Sequence, residues 1–456
     1  MASKVTRDHH NLRRNLNLND NWVSNDGGDE GIRITDAGLV GIGVADPDEV
    51  LEVAGDMKVS GSNKLYLYDS GGEYLASDGT DLTITSGNDI VLAVGSTGSV
   101  YSSGDGGTGN TIYGNDAGIA LVSGGNYNSL FGFNAGIAVS DGDYNICIGR
   151  QAGTLLSTGG SNVLIGKNAG DGFDAENYNT VIGSDAMGGS TSCASVVIVG
   201  AGAMIGNATQ DGTVSIGAET LAALTTGAGN IAIGYQAGAT FTVGEHNLAI
   251  GYQALDAEDN GDFNVAIGNY ALTTQNASDG SNANVAIGYK SGLSLTTAKY
   301  STFIGFETAG EAAGNALTGN GNVAVGYQAG YALEGAGAQN VIIGYTAGLA
   351  MSTGTDNVVI GSAAGEQMEE GAENVVIGKN AFQQADGGEN RNIVIGTQAG
   401  ESIDHDDTDG NVIIGTGAGV GGAAAMIGCV AIGERAMEST AANAQTGTVA
   451  IGQSAL

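Results

Sequence analysis

From residue 110 to residue 456 the chain repeats one phrase, and no other feature restricts its fold as much: Asn, two apolar residues, Ile, Gly, two variable residues, Ala, then usually Gly. Asn264 to Gly268 reads Asn-Val-Ala-Ile-Gly. The Gly of the phrase recurs at 114, 132, 149, 166, 183, 200, 217, 234, 251, 268, 288, 305, 326, 344, 361, 378, 396, 415, 433 and 452, twenty copies in all. Eight consecutive steps, from Gly132 to Gly268, are 17 residues each, and the others run from 17 to 21. A fixed period of this length marks a repeat architecture, in which each unit buries its apolar residues only by stacking on its neighbours.

Val and Ile dominate the residues before the Gly, and small or polar residues bound them, so each phrase holds one very short strand. A 17-residue step has no room for a strand, its loops and a crossover helix. The expected fold is therefore all-β: a parallel β-solenoid, or β-roll, of about 20 coils with 17–21 residue repeats. At one strand spacing per coil, twenty coils give a rod of roughly 95 Å.

Alternation along a strand puts the residue before the Gly and the residue two earlier on one face, as in Val265 with Ile267. These pairs are expected to fill the solenoid lumen. The residue between them faces the other way, yet Leu164, Val181, Phe303, Val359, Val376 and Ile413 stand there, and Ser215 is the single polar exception. A strand apolar on both faces is buried on both. The expectation is that this middle stripe meets the same stripe on identical chains around a symmetry axis.

Asn opens fifteen of the twenty phrases. An amide both donates and accepts, so Asn145, Asn230, Asn264, Asn340 and Asn374 are expected to stack in register as a structural ladder. The Ala three residues after the Gly, as at Ala152, Ala237 and Ala347, suits a tight corner, and its replacements Thr220, Ser291 and Thr308 are all small.

The phrase at Asn247 to Ala254 and at Asn322 to Ala329 resembles the head repeat of trimeric autotransporter (YadA-like) adhesins. The resemblance covers about three quarters of the chain and implies a homotrimer of parallel β-rolls, although the period here is longer than in that family. The segment at 38–61 resembles one common near the start of tailed-bacteriophage fibre and virion-appendage proteins: a Gly-Ile-Gly turn, the corner at Pro47, then alternating strands. Gly41 and Gly43 do not make a dinucleotide loop, which needs a further Gly opening a helix.

Composition narrows the function. The formal charge of −35 opposes binding to nucleic acid, and no apolar run reaches the length of a membrane helix. Cys147, Cys193 and Cys429 form neither a disulfide framework nor a metal-ligand spacing; Cys147 falls on the middle, inter-chain position of its strand. The first residues lack the apolar core of a secretory signal.

Three segments follow in order. Residues 1–30 are locally basic, and Lys4, Arg7, Arg13, Arg14 and Trp22 suit docking on an acidic or apolar partner surface. Residues 31–109 read as a β-rich shaft, and residues 110–456 as the solenoid. The longer steps carry inserts at 273–282, 311–321 and 401–410, the candidates for partner contact, since recognition concentrates in loops on rigid scaffolds. The Asp404 to Asp409 run lacks the central Gly and terminal Glu of a calcium loop and reads as a solvated edge. Of the catalytic candidates, His246 and His405 have no recognisable partner, and no residue set indicates a cofactor or metal.

The expected function is that of a structural virion protein: a trimeric phage fibre or appendage. Its N-terminus would dock on a baseplate, tail or capsid protein, and its solenoid would face a host-surface glycan or protein. Such a protein would be made in the host cytoplasm without a signal peptide. The alternative is an extracellular or cell-surface filament.

Overall fold

The computed structural model describes Trp22–Val23, residues 31–54 except 36, 45, 48 and 49, and residues 107–456 except 190, 191, 207, 210, 277–279, 311–315, 423 and 439–442. The chain divides into two compact units, Met1–Ala93 and Val94–Leu456. The described residues contain strands and turns but no helix. The second unit is a parallel β-solenoid of about nineteen turns.

In the first unit, Trp22–Val23 pairs antiparallel with Ile32–Ile34, which pairs antiparallel with Val40–Ile42. Val40–Ile42 then pairs parallel with Leu51–Val53. Pro47 is buried at the corner between the last two strands, and a Cβ on Gly41 would come within 2.6 Å of the Val44 carbonyl oxygen. Gly41 therefore sits where the corner folds back on its own strand. Most of the expected shaft, residues 62–106, lies outside the described residues.

In the solenoid each phrase forms one three-residue strand, from Thr111–Tyr113 to Val449–Ile451. Every strand pairs parallel and in register with its neighbours, as Val265–Ile267 does with Leu248–Ile250 and with Val285–Ile287. The insert after Gly268 is absorbed in the loop, so the register holds across a 20-residue step.

Stacking in register explains why the marker Gly never varies. At Gly268, φ is +138°, and an added Cβ would stand 2.3 Å from the carbonyl oxygen of Gly288 in the next coil. The obstacle is backbone, which cannot move without breaking the ladder, and the same approach recurs along the array.

The direction of the side chains corrects the expectation from sequence. In strand after strand the middle residue is the buried one: Leu164, Val181, Phe303, Val359, Val376 and Ile413 are fully enclosed within a single chain, as is Cys147. They line the lumen and are not an inter-chain stripe. The flanking pairs, Val265 with Ile267 or Val358 with Ile360, point outward and are partly exposed. The physical reason is volume. A coil this short encloses a narrow interior that takes one strand side chain, the corner Ala and one or two loop residues.

Core size is balanced coil by coil. Where the strand offers Ala249 or Ala266, the loop supplies Leu255 or Leu272; where it offers Phe303, the loop supplies Ala309. Packing at near-crystalline density requires such exchanges. Polar intruders also come in pairs. The Ser215 and Thr220 hydroxyls bond each other at 2.5 Å, and Ser291 bonds Thr308 at 2.8 Å in the next coil.

The Asn side chains lie inside and form a continuous ladder within each run of phrases. Asn145 Oδ1 accepts the Asn162 backbone N–H and side-chain Nδ2, both at 3.1 Å, while Asn145 Nδ2 donates to the Gly159 carbonyl at 2.9 Å. Asn264 and Asn340 donate likewise to the oxygens of Asn247 and Asn322. Asn374 Nδ2 donates to Asn357 Oδ1 at 3.1 Å and to the Glu389 carbonyl at 2.8 Å. Asn230 Nδ2 donates to the Gly244 carbonyl at 2.6 Å. Where Asn gives way, the preceding Asn still accepts a backbone N–H, as Asn179 does from Val196.

Two expectations follow. Asn357→Ala leaves the buried Asn374 N–H without its acceptor and should cost about 1–3 kcal/mol, read as a lowered thermal midpoint. Val359→Glu should abolish hydrogen-exchange protection in its own and adjacent coils, because it buries a lone charge. Ile360→Glu, one residue on and pointing outward, should leave that protection in place. Equal damage from both would contradict the assignment of faces.

Candidate functional surface

The outward strand positions make one continuous face. Two positions in each of twenty strands give forty, and none carries a charged residue, in a chain of formal charge −35. Four are Thr or Ser, at Thr111, Ser129, Thr180 and Thr302; the rest are apolar or aromatic. Ile148, Val197, Ile231 and Ile393 are exposed, and most others are half-buried because each shields the next along the stack. Twenty strands at sheet spacing make this face about 90 Å long and about 10 Å wide, on the order of 900 Å² per chain. A standard protein–protein interface uses about 800 Å² per partner.

Beside this face runs a column of aromatic rings at the first residue after the marker Gly. Tyr235 stacks on Tyr252 at 5.7 Å, Tyr289 on Phe306 at 5.2 Å, Phe306 on Tyr327 at 5.3 Å and Tyr327 on Tyr345 at 5.1 Å. Tyr270, one position along, bridges Tyr252 and Tyr289 edge-on. An amide row accompanies it: Gln253 Nε2 donates to Gln236 Oε1 at 3.0 Å, and Gln236 Nε2 to Glu219 Oε2 at 2.8 Å. The column occupies only the middle coils, whereas the apolar face runs the whole array.

A second column stands at the residue before the phrase's Asn, where the backbone is left-handed. Tyr127 and Tyr144 stack there at 5.0 Å, and His246 stacks on Phe263 at 5.4 Å. Just before it, Asx side chains cap backbone N–H groups of the preceding coil. Asp143 Oδ1 accepts from Asn126, Asp211 Oδ1 from Ala194 and Asp409 Oδ1 from Asn390. Sequence reading missed this capping row because Gly, Ala and Glu alternate with Asx at the position.

Of the expected docking residues, Lys4, Arg7, Arg13 and Arg14 lie outside the described residues. Trp22 belongs to a strand paired with Ile32–Ile34, and its side chain lies outside what is described. His405 Nδ1 accepts the Asp407 N–H at 3.2 Å. Asp386 is raised above the usual carboxylate range by its hydrogen bond to Asp404, and Arg391 pairs with Asp409 at 2.9 Å. Among the described residues no three His, Cys, Asp or Glu side chains converge to hold a metal ion. Burial pushes the Cys147 thiol up to about 12, so it packs as a small apolar group.

Among the described residues two acids, Glu258 and Glu389, are fully enclosed, and Glu176 is buried. Glu258 is fully buried; its Oε1 accepts the N–H groups of Asp259, Asn260 and Gly261, and its Oε2 accepts Gln275 Nε2 at 2.8 Å and Asn282 Nδ2 at 3.1 Å. Loss of water raises its carboxyl above the ordinary 4.5 despite these donors.

Comparison with known proteins finds no matching family model, no matching curated protein and no matching solved structure.

The Glu258 environment sets a pH dependence. Its proton is held more tightly in the folded chain than in the unfolded one, so its contribution to stability is greatest below 4.5 and declines as pH rises through the raised value. Glu258→Gln removes that decline. Once the Asn282 amide turns over, the Gln amide can donate to Asn282 Oδ1, which is otherwise buried without a partner. The thermal midpoint of the variant minus that of the parent should grow with pH between about 4 and 8; a constant difference would contradict the raised carboxyl.

Proposed function

We propose that this chain is a non-enzymatic structural subunit of a multichain fibre, a trimeric appendage of a tailed phage whose solenoid faces a host surface. The observation that carries the proposal is the outward face of forty uncharged positions on a chain of formal charge −35. A solvated sheet face collects charged and polar residues, whereas a face kept free of charge over its whole length is kept for contact. The face is flat, regular and long, which suits identical chains side by side, since each coil then meets an equivalent coil. Three chains follow from the likeness of the repeat to trimeric adhesin heads, and the virion setting from the segment at 38–61 and the basic residues of 1–30. The host ligand would be a surface glycan or protein.

The test is the solution mass, by light scattering over a concentration series, of the full chain and of one lacking residues 1–30. A concentration-independent trimer is expected for both. The triple variant Ile267→Glu, Ile343→Glu, Ile414→Glu should fall to a monomer with an unchanged circular dichroism spectrum, because the three side chains point away from the lumen. A monomeric parent chain would sink the proposal; open-ended growth would favour the filament reading.

A further inference from the structure

The left-handed column before the phrase's Asn has a missing rung. Tyr300, Gly321 and Gln339 occupy it in three successive coils, held in line by backbone bonds from Gly321 N–H to the Lys299 carbonyl and from Gln339 N–H to the Asn320 carbonyl, both at 2.9 Å. Gly321 contributes no side chain, and a cleft of about 490 Å³ opens there, bordered by Tyr300, Asn320, Gly321, Ala336, Ala338 and Gln339. Two other glycines of this column are covered by the next ring: an added Cβ would meet Tyr127 at 2.8 Å from Gly109, and His246 at 2.6 Å from Gly229, whereas at Gly212, Gly410, Gly428 and Gly447 it would meet nothing within 4 Å. Gly321 is the glycine of this column that stands between a ring, Tyr300, and an amide, Gln339. At Gly321 the nearest neighbour of an added Cβ would be Gln339 Cγ, at 3.8 Å.

The dimensions suit one ring. Tyr300 and Gln339 stand two coils apart, about 9.6 Å at sheet spacing, and rings in this column stack at 5.0–5.4 Å. Tyr300 is 62% exposed. Among the described residues its hydroxyl, the Gln339 amide and Asn320 Nδ2 bond no protein group, while Asn320 Oδ1 is already taken by the Lys299 N–H. Thr318, Gly319, Ala336 and Ala338 complete the lining, and Thr318, Gly319, Asn320 and Gly321 come from the long step between Gly305 and Gly326.

We infer that this cleft is a saccharide subsite, in which one pyranose ring lies on Tyr300 and its hydroxyls bond the amides of Gln339 and Asn320. An aromatic platform flanked by amides answers the two sides of a sugar: the ring places its C–H face on the π-surface, and its equatorial hydroxyls meet donors and acceptors at the edge. A flat apolar ligand would leave the amides unanswered. For its role the subsite rests on the proposed host-surface reading and assigns a glycan as the ligand. Its binding chemistry does not depend on how many chains assemble.

The column supplies its own control. Gly321 has φ +72°, and its neighbours Tyr300 and Gln339 hold side chains at φ 58°, so Gly321→Tyr restores the rung without asking for a new backbone. The probes are the methyl glycosides of glucose, galactose, mannose and N-acetylglucosamine. Each is titrated into the full-length chain and followed by saturation-transfer NMR, with circular dichroism and solution mass recorded on the same samples.

The expected result is saturable, millimolar binding of at least one glycoside, with transfer strongest at the ring C–H protons. The signal is lost in Gly321→Tyr, and affinity falls about tenfold in Tyr300→Ala, the usual scale for removing an aromatic contact. No saturable binding by the parent chain overturns the subsite, as does binding that survives Gly321→Tyr or is unchanged by Tyr300→Ala. Solution mass keeps the two proposals apart. A trimer that binds no sugar sinks only the subsite, and a monomer that binds sugar sinks only the fibre.

Discussion

The structure depends on coils stacking in register at one strand spacing. Each coil contributes only three residues to the sheet, far too few to hold alone. All stability must come from what repeats in the stack: main-chain pairing, the Asn ladder and the lumen. Stacking also dictates which residues are allowed. The marker Gly admits the next coil's carbonyl, the buried Asn bonds to the Asn before and after it, and the corner takes Ala or, at Thr220, Ser291 and Thr308, a small hydroxyl residue. Most copies obey the same rule because each inner coil has equivalent neighbours above and below.

A coil this small divides its apolar residues between two destinations. The lumen takes the middle strand residue and balances its size from the loops, which is why Phe303 goes with Ala309 and Ala266 with Leu272. The branched Val and Ile on either side are left outside as an uncharged face. The solenoid thus satisfies its own interior and still carries an apolar surface long enough for another chain. Interior and exterior also differ in what they tolerate. A charge in the lumen meets no water, whereas a charge on the outer face disturbs only what docks there.

The loops vary without disturbing the stack. Inserts of up to four residues beyond the 17-residue step leave the strand register intact, and side-chain columns follow the coil spacing automatically. Aromatic rings therefore align by default, and at Gly321 the absent side chain leaves a gap beside Tyr300. Gly321 shows how a single residue can shape a cleft on an otherwise periodic surface.

The repeat, the all-β class, the strand position in each phrase and the Asn ladder were legible in the sequence, because a 17-residue period with Asn, Ile, Gly and Ala at fixed offsets admits few foldings. What it left open was which strand face turns inward. Alternation separates the faces but does not orient them, and here both are apolar. The clues lay in volume: Ala through Phe at the middle position against steady Val and Ile beside it, and Ser215 changing together with Thr220. The cleft at Gly321 was still less visible, since it joins Tyr300, Asn320 and Gln339 across three coils. The sequence alone determined the stacked solenoid, through what each coil requires of the next. Only the tertiary structure decided inside from outside and where the surface opens, because both depend on how much space the closed coil encloses.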